Sequence, residues 1–124
     1  MVESDIYTML ESNLDSAIEI SWGKIDPKID WSSGVVSVDF FKLPSQSSDT
    51  VPCFLDNFQL SVRSQYIDTA QQTANDIIEM FHLFSGKITT YRIWVTNVYC
   101  NGVLYEDNDI VHIPITLSIK YTGI

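Results

Sequence analysis

The sequence predicts an α+β domain: an antiparallel sheet of four or more strands with two helices packed on one face. Three observations predict it. Apolar and polar residues alternate over several segments of the last two thirds, the period of a half-buried strand. Two other segments carry apolar residues three and four apart, the period of an amphipathic helix. The 124 residues contain neither an internal repeat nor a linker, so residues 1–124 make one domain with one core. The expected order is helix, strand, strand, helix, strand, strand.

The first helix is expected from about Glu3 to Glu19. Ile6, Met9, Leu10, Leu14, Ala17 and Ile18 give it one apolar face, and its early acids suit the helix dipole. The stretch Gly23 to Lys28 breaks the pattern. Gly34 to Leu43 reads as a strand, with Val36, Val38 and Phe40 alternating with Ser37 and Asp39. Pro44 to Pro52 is rich in turn formers and reads as a long exposed loop. Cys53 to Ser64 is the next strand, where Phe58, Leu60 and Val62 alternate with polar neighbours.

The second helix starts at Asp68, an N-cap with Gln71 three residues on as in a capping box. Ala70, Ala74, Ile77, Ile78, Phe81 and Phe84 form its stripe, and Gly86 is placed to end it. Lys87 to Cys100 is read as one long strand, closed by a tight turn at Asn101-Gly102 with a short return at Val103 to Tyr105. Ile110 to Tyr121 is the last strand. Pro114 within it cannot donate a ladder hydrogen bond, so it implies a sheet edge or a bulge.

Composition limits the function. Sixteen acidic residues face seven basic ones, a net charge of −9, and the basic residues are scattered. Nucleic-acid binding of the usual kind, which needs clustered Lys and Arg against phosphates, is disfavoured. The first twenty residues hold five acids and no Lys or Arg, the opposite of a secretory leader, and no stretch reaches membrane-helix length. Synthesis in the cytoplasm, with no membrane partner, follows. Cys53 and Cys100 are too few for a disulfide framework and read as two buried thiols.

No constellation carries chemistry. His82 and His112 lack a second His or Cys at ligand spacing. The acidic run Glu106 to Asp109 lacks the Gly and Glu that complete a calcium loop. There is no nucleophile elbow and no glycine-rich phosphate loop. Trp22, Trp31 and Trp94 read as core and interface filling. No enzyme activity, metal or cofactor is expected. Such a domain works by shape and assembly.

The segment DNFQLSVRSQYIDTAQQTANDIIEMFHLF, Asp56 to Phe84, resembles the tail-terminator or tail-completion proteins of long-tailed bacteriophages, also described as minor capsid proteins. The ending VHIPITLSIKY, Val111 to Tyr121, resembles their last strand. The likeness spans residues 54 to 121 and is weak over the N-terminal third. It implies a virion structural protein, assembled in the host cytoplasm. It also implies a hexameric ring of identical subunits that caps the tail tube protein and joins it to the head–tail connector protein. DNA would pass through such a ring without specific binding. Two other readings stay open: a head-completion or connector protein of the same particle, and a free cytoplasmic small-molecule-binding or regulatory protein.

Two sets of residues are candidates for this role. The loop residues Leu43, Pro44, Ser45, Gln46, Asp49, Val51 and Pro52 form a candidate partner interface, because long loops in compact domains carry contacts. Asp56, Glu106, Asp107 and Asp109 are candidate channel-lining acids, placed in or beside loops at the end of the sheet.

Overall fold

The computed structural model describes residues 2–23, 28–43, 53–89 and 91–123. These form helix α1 (Val2–Asn13), strand β1 (Glu19–Trp22), β2 (Ser37–Lys42), β3 (Cys53–Ser64), helix α2 (Ile67–Phe81), β4 (Ser85–Lys87), β5 (Tyr91–Cys100), β6 (Leu104–Glu106) and β7 (Ile110–Gly123). The strands make one curled sheet in the order β1-β2-β3-β7-β5-β4, with β6 also on β7. β1 runs parallel to β2, and every other pair is antiparallel. This overturns the predicted fold class. Among the described residues the protein is mostly β, with seven strands in a mixed sheet, and the helix-strand-strand-helix-strand-strand order does not hold.

The first correction lies at residues 14–22. The helix stops at Asn13, whose side-chain amide donates to the Met9 carbonyl at 2.8 Å. Asp15 then accepts from the Ala17 amide at 2.9 Å and offers its own carbonyl to Ile18. A short polar side chain that bonds nearby backbone competes with the helix ladder, so the helix ends here. The chain is freed to run as β1, where Trp22 stacks on Phe40 at a centroid distance of 5.8 Å.

The second helix begins two residues earlier than expected and without a capping box. Its N-cap is Tyr66, which makes no side-chain cap bond. Ser64 Oγ accepts from the Tyr66 amide instead, and Asp68 sits in the first turn, where it favours the dipole. The helix ends at Phe81, before Gly86, which belongs to β4. Leu83 takes a left-handed φ of 57° there, which turns Phe84 back to accept from Val95 of β5 at 2.9 Å.

The predicted strand 87–100 is two strands, β4 and β5, paired as a hairpin. The Asn101-Gly102 turn does not fold β6 onto β5. Both lie along β7, with Cys100 opposite Ile115 and Leu104 opposite His112. Residues 101–103 are a break in one bent edge.

That break explains Pro114, which lies in a central strand and not at a sheet edge. The Asn101 amide donates to its carbonyl at 2.9 Å. The nitrogen and carbonyl of one strand residue point to the same side. The missing donor of Pro114 therefore faces the gap, where no ladder partner waits for it.

One face of the sheet holds the core. Val38 and Phe40 of β2, Phe58, Leu60 and Val62 of β3, and Ile113, Ile115, Leu117 and Ile119 of β7 are all buried on it. Val2, Ile6, Met9 and Leu10 of α1 and Ala70, Ala74, Ile77 and Phe81 of α2 belong to the same cluster. Asp5 of α1 is fully buried and accepts from the Tyr91 amide at 2.9 Å and from the Thr89 hydroxyl, which ties the helix to the start of β5. Among the described residues no helix is long and apolar enough to cross a membrane.

Candidate functional site

Among the described residues both α-helices pack on the core face, and on the opposite, open face the polar residues follow the same period of two. Ser37 and Asp39 of β2, Ser61 and Arg63 of β3, and His112 of β7 occupy neighbouring register positions. Asp39, Ser61 and His112 are buried although they are polar. Arg63 joins them. Its Nη1 lies 2.5 Å from Asp39 Oδ1, and its Nε donates to Glu106 Oε1 at 2.9 Å. Hydrogen bonds between ionised partners such as these are roughly twice as strong as neutral ones.

Burial and charge act against each other in this cluster. Burial pushes the Asp39 carboxyl above the ordinary carboxylate range, although Arg63 and His112 pull the other way. Burial, and then the Arg63 charge, push the His112 imidazole below its usual value, against Glu106 and Asp39. The 3.5 Å approach of His112 Nδ1 to Glu106 is too long for a strong hydrogen bond. His112 Nε2 and Ser37 Oγ are buried without a hydrogen-bond partner among the described residues.

This arrangement predicts a pH response. A histidine with a lowered folded value stays neutral in the fold while the unfolded chain takes up a proton. Its contribution to stability is present above about 6.5 and is lost as pH falls below it, by at most about 1.4 kcal/mol per pH unit. Asp39, raised in the fold, acts with the opposite sign in a lower window that opens at 3.8. Melting temperatures between neutral pH and mildly acidic pH should fall more steeply for the natural protein than for His112→Gln. Parallel profiles would show that another group titrates.

The predicted channel-lining acids are not brought together. Asp56 is 2% exposed and sits on the core face at the other end of the sheet, opposite Ile119. It accepts from the Tyr121 hydroxyl at 2.5 Å and lies 3.3 Å from Lys42 Nζ. Burial and the neighbouring Asp56 hold the Tyr121 hydroxyl far above its ordinary range. Glu106 opposes Ile110 on β7, about 30 Å along that strand from the level of Asp56. Glu106 is engaged with Arg63, whereas Asp107 and Asp109 are exposed at the turn between β6 and β7. Of the candidate interface loop, Leu43 is half-buried and donates its amide to Asn57 at 2.8 Å. Pro44, Ser45, Gln46, Asp49, Val51 and Pro52 lie outside the described residues. Cys100 is exposed, not buried as expected.

Sequence reasoning missed a second charged region on the open face. Lys87 opposes Arg92, and Trp94 lies between Ser85 of β4 and Lys120 of β7. Lys87, Arg92 and Lys120 are exposed, and none is within ion-pair distance of an acid among the described residues. Along the sequence these cations look scattered, and only the strand register gathers them. Elsewhere, an open groove of about 530 Å³ runs between residues 15–18, residues 33–36 and α2. Its described lining holds no His, Cys, Lys or Arg.

No family model matches this chain, and no curated protein matches it. Solved structures share its fold. One, whose name describes no function, aligns over 100% of this chain and 98% of its own at 18% identity, with a TM-score of 0.65. Another comes from the virion of a native gene transfer agent particle. It aligns over 98% of this chain and 92% of its own at 15% identity, with a TM-score of 0.53. At these identities the likeness is one of fold.

Proposed function

We propose that the protein is a structural component of a phage-like particle, and within it a tail terminator. The observation that carries the reading is the likeness to the gene transfer agent virion chain. It spans nearly the whole of both chains. The sequence resemblance over residues 54 to 121 points to the same kind of particle. In this reading copies of the chain form a ring, most simply of six, that caps the tail tube and meets the head connector. The net charge of −9 favours DNA passage without adhesion.

Native mass spectrometry and electron microscopy of the purified protein, alone and with tail tubes, test this. The expected result is a ring seated on the tube end. A ring that binds the connector and ignores the tube would move the protein to the head side of the joint. A strict monomer that binds neither would remove the reading.

A further inference from the structure

We infer that the two charged ends of the open sheet face are complementary docking surfaces, by which one copy of this chain binds the next head to tail. The inference rests on the reading of the chain as a repeating particle subunit and supplies the contact that reading lacks.

The basic end is Lys87, Arg92 and Lys120 around Trp94, with the exposed Leu55 beside Lys120 in the adjacent strand. Among the described residues, the acids at that level of the sheet, Glu3, Asp5 and Asp56, are buried, and Asp56 faces the core side. They leave the open face basic in a chain whose total charge is −9. The acidic end is the β6–β7 turn. Asp107 and Asp109 are exposed there, next to Glu106 and to the exposed apolar side chains of Leu104 and Tyr105. Both ends thus combine a charge of one sign with apolar surface, the composition of an interface core and its rim.

Within one chain the two ends cannot satisfy each other. Lys120 and Ile110 are separated by about 30 Å of strand, several times the screening length of about 8 Å at physiological salt. Between copies they meet directly. Because the ends differ, the contact is heterologous, the kind that repeats from subunit to subunit and closes a ring when the rotation allows. Asp107 and Asp109 are thereby assigned to a contact between copies and not to a lumen.

The test uses two variants. Lys87→Glu with Lys120→Glu makes both ends acidic. Asp107→Lys with Asp109→Asn makes neither end acidic, and Asn suits the left-handed φ of 59° at position 109. Both pairs are exposed, so melting temperatures should stay near that of the natural protein. Sedimentation across concentration is expected to show self-association weakened about tenfold or more in each variant alone, since like charges then face one another. Mixing the two variants should restore it, and added salt should weaken association of the natural protein. Natural protein that assembles while either variant assembles equally well overturns the docking surfaces and leaves the ring reading standing. Variants that fail alone and fail when mixed also overturn them. Natural protein that stays monomeric at every concentration and salt overturns the inference, and its binding to tail tubes then decides the ring reading separately.

Discussion

Phe58→Ala is expected to cost about 3–5 kcal/mol of folding stability, among the largest losses from one core truncation in this protein. Phe58 is fully buried in the middle of β3, level with Lys42 on one side and Leu117 on the other. Removing the ring forfeits its transfer free energy of about 1.5–3 kcal/mol and leaves a cavity whose walls cannot close. The walls are rigid because β3 is bonded along its length to β7 and over its second half to β2. Phe58→Leu keeps most of the volume and should cost under about 1.5 kcal/mol. Urea denaturation of the two variants measures the difference. A loss below about 2 kcal/mol for the alanine variant would mean that the site collapses around the gap.

Arg63→Met should be almost as damaging, for an electrostatic reason. The substitution keeps much of the side-chain volume and removes the cation between Asp39 and Glu106. Glu106 is 40% exposed and finds water, but the Asp39 side chain is 8% exposed and does not. A buried charge without its partner costs about 3–5 kcal/mol. The double variant Asp39→Leu with Arg63→Met removes both members and should recover most of that loss, because an apolar pair of similar volume needs no compensation. Denaturant midpoints of the single and double variants read this directly. A single-variant loss below about 1 kcal/mol would place the pair among solvated surface contacts.

Much of the sheet was legible because its strands alternate strictly. β3 has the limits expected from the sequence, and β7 runs two residues past its expected end. The same count of two would have placed Asp56 correctly, since it shares the parity of Phe58, Leu60 and Val62 and so faces the core. A carboxylate at such a position needs partners, and these lie far away in the sequence at Lys42 and Tyr121. The Arg63 cluster and the basic end of the open face were illegible for that reason. Each is assembled by register between strands distant in the chain. β1 was hidden differently: Ala17 and Ile18 continue the helical spacing, and the signal against it is the Asn13-Leu14-Asp15 stretch, whose short polar side chains bond local backbone. The Asn101-Gly102 pair misled because a tight hairpin needs a free partner strand, and β7 had already taken both neighbours.

The place of β7 in the sheet governs the order in which the chain can fold. Within the sheet, β1, β2 and β3 stand on one side of β7 and β5 and β4 on the other, so the last strand is the one that joins the two groups by backbone pairing. Until β7 has been synthesised and threaded between them, β3 and β5 each present a long unpaired edge. Such edges invite pairing with other chains. The contacts that close the fold span about 60 residues at the β3–β7 ladder, a separation that slows folding in proteins of this size. A nascent copy therefore passes through a stage in which its own missing strand is the best protection it could have, and chaperones that shield open sheet edges would act in that interval.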